Sequence, residues 1–213
     1  MPTVQEFATL TSLSGCSTAG LQPLIDQIVE ILLPVVNTAE QTSLVPCDDI
    51  PLLQVVGGST IPLLQPAARD SLQQVIEEVG EQLSLRHAYR TIAQQLVLRT
   101  WALNGKCHIT QARKPGTSDH ERALAVDVDN FSIWKDAFVS HGWHWAGPGD
   151  RGHFNFLGDD VNPNVITESV KAFQVLWNRN NPDDLIDEDG VYGEEQTGPR
   201  LRLSPIGGFP IVS

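Results

Sequence analysis

The sequence predicts an α+β fold, with helices packed on a small antiparallel sheet and a small helical unit at the C-terminus. Three observations carry that expectation. Apolar residues recur at helical spacing in several separate segments, short alternating runs lie between them, and the turn-rich stretch "DDVNPN" from Asp159 sets the last helical segment apart. At 213 residues the chain suits one large domain, or a medium one with an appendage. The expected division is a helical extension over 1–61 packed on the main domain, the main domain over 62–160, and the terminal unit over 161–213.

The elements follow in order. In "LQPLIDQIVEILLPVV", Leu24, Ile25, Ile28, Val29 and Leu32 share one helical face, while Pro23, Asp26, Glu30 and Pro34 interrupt it. An amphipathic helix is expected there, too short and too polar to span a bilayer. "AARDSLQQVIEEVGEQL" places Leu72, Val75, Ile76 and Val79 on one face, with Gly80 as its stop. "SLRHAYRT" reads as a short strand, and "IAQQLVLRTWAL" as a helix ending at Asn104-Gly105. "FSIWKDAFVSHGW" sets Phe131, Trp134, Ala137 and Phe138 on one side of a further helix. "HFNF" alternates as a strand does.

Composition narrows the function classes. A formal net charge of −12 argues against a nucleic-acid partner, because phosphate binding needs a basic surface. Apolar residues make up 41% and charged residues 19%, which suits a packed core rather than disorder. "MPTVQEFATL" lacks the basic and apolar regions of a secretory signal. The three cysteines, Cys16, Cys47 and Cys107, form no C-x-x-C pair. Either one bridge with a thiol left over, Cys16 to Cys47 being the favoured pair, or three buried thiols fits that spacing.

The chemistry concentrates in "TSDHERALAVDVD", residues 117–129. As a strand, 123–129 would turn Leu124, Val126 and Val128 to the core and Ala123, Ala125, Asp127 and Asp129 to the other face. Two alanines beside an acid would leave open space over the sheet, as a substrate groove needs. The same alternation buries Phe154 and Phe156 and sends His153 and Asn155 across. His120, Asp127 and His153 can then converge as two nitrogens and one oxygen, a set that suits Zn²⁺ with a position left for water. A solvated strand acid and ordinary His–Asp hydrogen bonds fit the same spacing.

"SDHERALAVD" resembles the Ser-x-His-x-x-Gly-x-Ala-x-Asp signature of zinc-dependent D-alanyl-D-alanine carboxypeptidases, the family that includes vancomycin-resistance D,D-peptidases and some phage endolysins. It departs at Ala123, where the signature has glycine. "ARKPGTSDH" is similar to the family's Arg-Pro-Gly-x-Ser-x-His approach with Lys114 added, "HAYRTIAQQ" to its Gly-Tyr-Arg-Ser segment, and "GWHWAGPGDRGHFNF" to its Gly-Trp and Glu/Asp-x-x-His-Phe block. The resemblance implies His120, Asp127 and His153 as zinc ligands and Asp150 as the catalytic acid/base. It implies Arg90 as the cation that meets a substrate carboxylate or the tetrahedral intermediate, and Ser118 as a substrate-contacting hydroxyl. Tyr89 and Trp143 are candidates to line the groove, with core packing as the other reading. His87, His108, His141 and His144 fall outside the matched ligand positions, His144 being the best spare ligand or proton donor.

The tail has "TESVKAFQVLWNRNN", with Thr167 as N-cap and Val170, Phe173, Leu176 and Trp177 on one face, then "DEDGVYGEEQTGPRL", turning at Asp189-Gly190. This order is similar to the small three-helix peptidoglycan-binding domain, with Tyr192 in place of Phe and the spacing to Thr197 one residue longer. The resemblances together imply a hydrolase of peptidoglycan stem peptides, cutting before a terminal D-alanine or within the stem. A peptidoglycan-recognition protein is the alternative, if the Ala123 methyl crowds the substrate. A monomer working in the cell wall or periplasm is the expectation, with a cytoplasmic location left open by the missing signal.

Overall fold

A computed structural model describes residues 1–10 and 16–210. The fold is α+β, as expected, and its residues group into two compact units. One comprises 1–35, 91–118 and 166–213, and the other 36–90 and 119–165. Both units are therefore stitched from separated segments, unlike the consecutive division expected from the sequence.

The second unit holds the sheet. Its strands are β1 (Val45–Pro46), β2 (Leu53–Val55), β3 (Leu63–Leu64), β4 (Leu83–His87), β5 (Ala125–Val128), β6 (Trp143–Trp145) and β7 (His153–Phe156). β1 and β3 form a two-stranded ribbon, and the main sheet runs β2-β4-β5-β7-β6. Its pairs are antiparallel except β2 with β4, which is parallel. The sheet is thus mixed at one edge, and the 1–61 segment supplies strands as well as helices.

Two helices of this unit, α3 (Pro66–Val79) and α5 (Phe131–Ser140), share one core with the sheet. Leu85, Val126, Val128 and Phe154 come from the strands, and Leu72, Val75, Trp134 and Phe138 from the helices. Pro66 opens α3, where a missing N–H costs nothing, and Gly80 ends it in the left-handed conformation at φ +71°. Alternation on β5 and β7 works as the sequence implied: Val126 faces Phe154 in the core, and Asp127 pairs with His153 on the opposite face. Ala123 and Ala125 are both fully buried, so the space expected above them is filled.

The first unit is helical, with α1 (Val4–Leu10), a 3₁₀ turn (Thr18–Leu21), α2 (Gln22–Val36, its last residue counted with the second unit), α4 (Ile92–Leu103), α6 (Val165–Asn180) and α7 (Thr197–Leu203). α4 starts with a reciprocal cap, Thr91 N donating to Gln94 Oε1 at 3.0 Å and Gln94 N to Thr91 Oγ1 at 3.4 Å. Leu24, Ile25, Ile28 and Leu32 of α2 are buried. Together with the 3₁₀ turn, α2 makes a helical stretch of 19 residues, Thr18–Val36, long and apolar enough by composition to cross a membrane.

The tail is built into this unit. Val4 N donates to Ser204 O at 2.9 Å, Thr3 bridges to Pro205, and Gln27 bonds both the N–H and the carbonyl of Phe209. Val170, Phe173, Leu176 and Trp177 are buried as the periodicity implied. Thr167 is not the N-cap expected, because α6 begins two residues earlier at Val165. Cys16 is bridged to Cys107, and the buried Cys47 is the free thiol. The pairing expected from sequence, Cys16 with Cys47, is replaced because Cys47 belongs to the core of the sheet unit.

Candidate metal centre

His120, Asp127 and His153 meet on the sheet face opposite the core, and each offers one donor atom to a group spanning no more than 4.8 Å. Asp127 and His153 arrive as direct cross-strand partners on β5 and β7. His120 arrives from the turn before β5. That turn is closed by Ala123 N to His120 O at 3.1 Å and Leu124 N to Asp119 O at 3.0 Å. Ala123 itself takes φ +56°, a conformation that costs an L-residue about 1 kcal/mol and glycine almost nothing. The signature's glycine therefore answers a backbone need, and the Ala123 methyl is buried rather than set against an open groove.

Both imidazoles are oriented from behind. His120 Nδ1 lies 2.7 Å from the Ala88 carbonyl, which only accepts, so that nitrogen carries the hydrogen and Nε2 keeps a lone pair for the site. His153 Nε2 donates to Asn155 Oδ1 at 2.9 Å, leaving Nδ1 toward Asp127 Oδ1 at 2.8 Å. His120 Nε2 and His153 Nδ1 are 3.2 Å apart. Two nitrogen lone pairs aimed at one point beside a carboxylate are what a divalent metal ion replaces hydrogen bonds with. The group could hold a metal ion.

The electrostatics of His120 agree with that use, and His153 carries the nitrogen that an ion would have to deprotonate. Burial and then the neighbouring Arg90 push His120 down to about 4, so it is neutral at pH 7, the form that ligates metals. Burial alone would raise Asp127, but the three imidazoles around it, His120 first and then His153 and His87, hold it well below the usual carboxylate range. His153 is lowered by burial but raised further by its bond to Asp127, for a net upward shift.

The remaining expected residues divide. Arg90 is 8% exposed, and a guanidinium nitrogen lies 3.4 Å from Asp127 Oδ2. Burial lowers its pKa against the opposing charges of Asp127, Glu121 and Asp150. Asp150 lies in the exposed turn before β7, where its carbonyl accepts from His153 N at 3.1 Å. Partial desolvation and the Asp127 charge raise its pKa, against the pull of His153 and Arg90. Tyr89 and Trp143 are only 1% and 3% exposed. Trp143 donates to Ser71 Oγ at 2.8 Å and packs on Phe138, so it is a core ring and lines no open groove. Ser118 is buried and ends the 91–118 segment of the other unit. His144 is exposed on β6 opposite Asn155.

One neighbour escaped the sequence reading. His87 Nδ1 sits 3.0 Å from Asp127 Oδ2. Only its place two residues before Tyr89, on a strand expected to run past the site, hinted at this. Neither a family model nor a curated protein matches the chain. The chemistry of the site therefore follows from its residues and their geometry.

Proposed function

We propose that this protein is a zinc metallopeptidase that hydrolyses peptidoglycan stem peptides, in the first instance as a D-alanyl-D-alanine carboxypeptidase. The observation that supports it most is the donor set itself: two imidazole nitrogens and a carboxylate within 4.8 Å, each imidazole held by an acceptor on its far side. Two histidines and an acid are a catalytic rather than a closed structural zinc set, because a fourth position stays free. The substrate class rests on the sequence resemblance of residues 117–129 and the blocks around them.

His120, Asp127 and His153 would hold the ion. When bound, zinc supplies a water acidified to a pKa of roughly 7 and a Lewis acid at the scissile carbonyl. Asp150 handles the proton: its raised pKa makes the carboxylate a stronger base toward the attacking water, and the proton it then holds is available to pass to the leaving amine. Arg90 carries a fixed positive charge from a desolvated position, suited to a terminal carboxylate or a developing oxyanion. The Cys16–Cys107 disulfide supports a working location in an oxidising compartment, where a cell-wall substrate would also be.

The test is digestion of purified muropeptides, read by mass, with and without a chelator. Loss of a terminal D-alanine marks a carboxypeptidase, and a cut within the stem an endopeptidase. Asp150→Asn should keep the metal and lose roughly 10²–10⁴-fold in turnover, and activity within about threefold of wild type would remove the role from Asp150. No chelator-sensitive product from any stem peptide would overturn the proposal.

A further inference from the structure

The two oxygens of Asp127 have different surroundings. Oδ1 faces His153 Nδ1 at 2.8 Å. Oδ2 has His87 Nδ1 at 3.0 Å, an Arg90 nitrogen at 3.4 Å and His120 Nε2 at 3.4 Å. A carboxylate only accepts, so an imidazole nitrogen facing it without an ion carries the hydrogen. His153 Nε2 already donates to Asn155 Oδ1, so its Nδ1 trades that hydrogen for the ion, while His87 Nδ1 keeps its own on Oδ2. His87 also stands outside the compact donor group of His120, Asp127 and His153.

His87 reaches this position through an irregularity in the sheet. Leu85 pairs with Val128 and His87 with Asp127, so β4 uses one residue more than β5 over the same ladder. In a regular ladder His87 would stand opposite Val126 and share the core face with Leu85. The bulge at Arg86 turns it onto the face that carries Asp127 and His153. A side chain re-aimed by a bulge, onto the outer oxygen of a carboxylate with two imidazoles beside it, has a specific geometric consequence.

We infer that His87 is a positioning residue that makes Asp127 a one-oxygen ligand, its ring N–H holding Oδ2 while Oδ1 joins His120 Nε2 and His153 Nδ1 as the donor set. The inference rests on the metal reading of the site. Orienting partners of this kind are worth about 10–100-fold in metal affinity. The His87 side chain is 38% exposed, so its replacement opens no cavity in the core.

The test compares the full-length wild type, His87→Asn and His87→Leu for zinc affinity by competition with a chromophoric chelator, and for the visible spectrum of the Co²⁺ form. Asn and Leu have the same shape, and only Asn offers an N–H where Nδ1 stood. The expected result is zinc binding weakened about 10–100-fold in His87→Leu, most of it restored in His87→Asn, with no loss of a ligand in the Co²⁺ spectrum of any of the three. His87→Ala serves in place of His87→Leu if the leucine variant does not fold. Equal weakening in the Asn and Leu variants, together with a Co²⁺ spectrum that has lost a ligand, would make His87 a ligand and overturn the inference. Affinities within about threefold across the set would overturn it as well, since an orienting bond is worth more than that. A wild type that takes up neither zinc nor cobalt sinks the metal reading itself, an outcome distinct from a failure confined to the variants.

Discussion

Replacing Asp127 by asparagine keeps the shape of the side chain and removes its charge, so it separates the metal site from the packing around it. In wild type, an ion that binds only the folded chain adds about 2.7 kcal/mol when present at a hundredfold excess over its Kd. At roughly 2–4 °C per kcal/mol for a chain of this size, the unfolding midpoint should rise about 5–11 °C between chelator and excess zinc. Asp127→Asn should show almost none of that rise. The variant should also be weaker without metal. Arg90 is nearly buried and loses the Asp127 charge that lies 3.4 Å from its guanidinium, and breaking a buried pair costs about 3–5 kcal/mol. Glu121 and Asp150 still act on the guanidinium, so the lower end, about 3 kcal/mol, applies. Because the native carboxylate is held well below its ordinary 3.8, that difference is present above pH 3.8 and fades only in stronger acid. Thermal unfolding followed by circular dichroism, with metal-stripped and zinc-loaded samples of both proteins, gives all three quantities. A wild-type midpoint unmoved by zinc refutes the metal centre, and an equal rise in Asp127→Asn refutes the role of this carboxylate.

Other outcomes can be measured in parallel. A Cβ built on Gly152 lies 2.6 Å from the Val128 carbonyl oxygen, so Gly152→Ala should push β7 off β5, lower stability by about 1–3 kcal/mol and weaken zinc binding through the displaced His153; a variant with native midpoint and affinity would show that β7 tolerates the shift. Cys47 is pushed up to about 12 by burial and then by the Asp48 charge, so it should resist maleimide in the native protein and react once when unfolded without reductant, three thiols reacting after reduction. Its folded-state pKa is raised from 9.0, so the stability it contributes is complete below pH 9.0 and declines as pH rises toward 12. A chain ending at Asp160 loses α6, α7 and the bonds of Ser204 to Val4 and of Phe209 to Gln27, and should be recovered aggregated; a soluble, monomeric product by size-exclusion chromatography would mark the tail as a separable module.

Much of the helical architecture and the shared face of Asp127 and His153 were legible in the sequence, because both rest on local periodicity, while His120, in a turn, is marked by the resemblance of "SDHERALAVD". Alternation in "AVDV" and "HFNF" puts Asp127 and His153 on one face whatever else the chain does, and the apolar spacing of α3, α5 and α6 holds for the same reason. What tertiary structure decided depends on register and on which segments come together. A one-residue bulge in β4 moves His87 from the core face to the Asp127 carboxylate, and no pattern within "SLRHAYRT" marks where a strand will bulge. The burial of Tyr89 and Trp143 and the pairing of Cys16 with Cys107 across 91 residues are likewise set by partners distant in sequence. The tail, too short at about fifty residues to bury enough surface alone, would be expected to pack on the main domain; tertiary structure decided instead that it joins 1–35 and 91–118 in the helical unit.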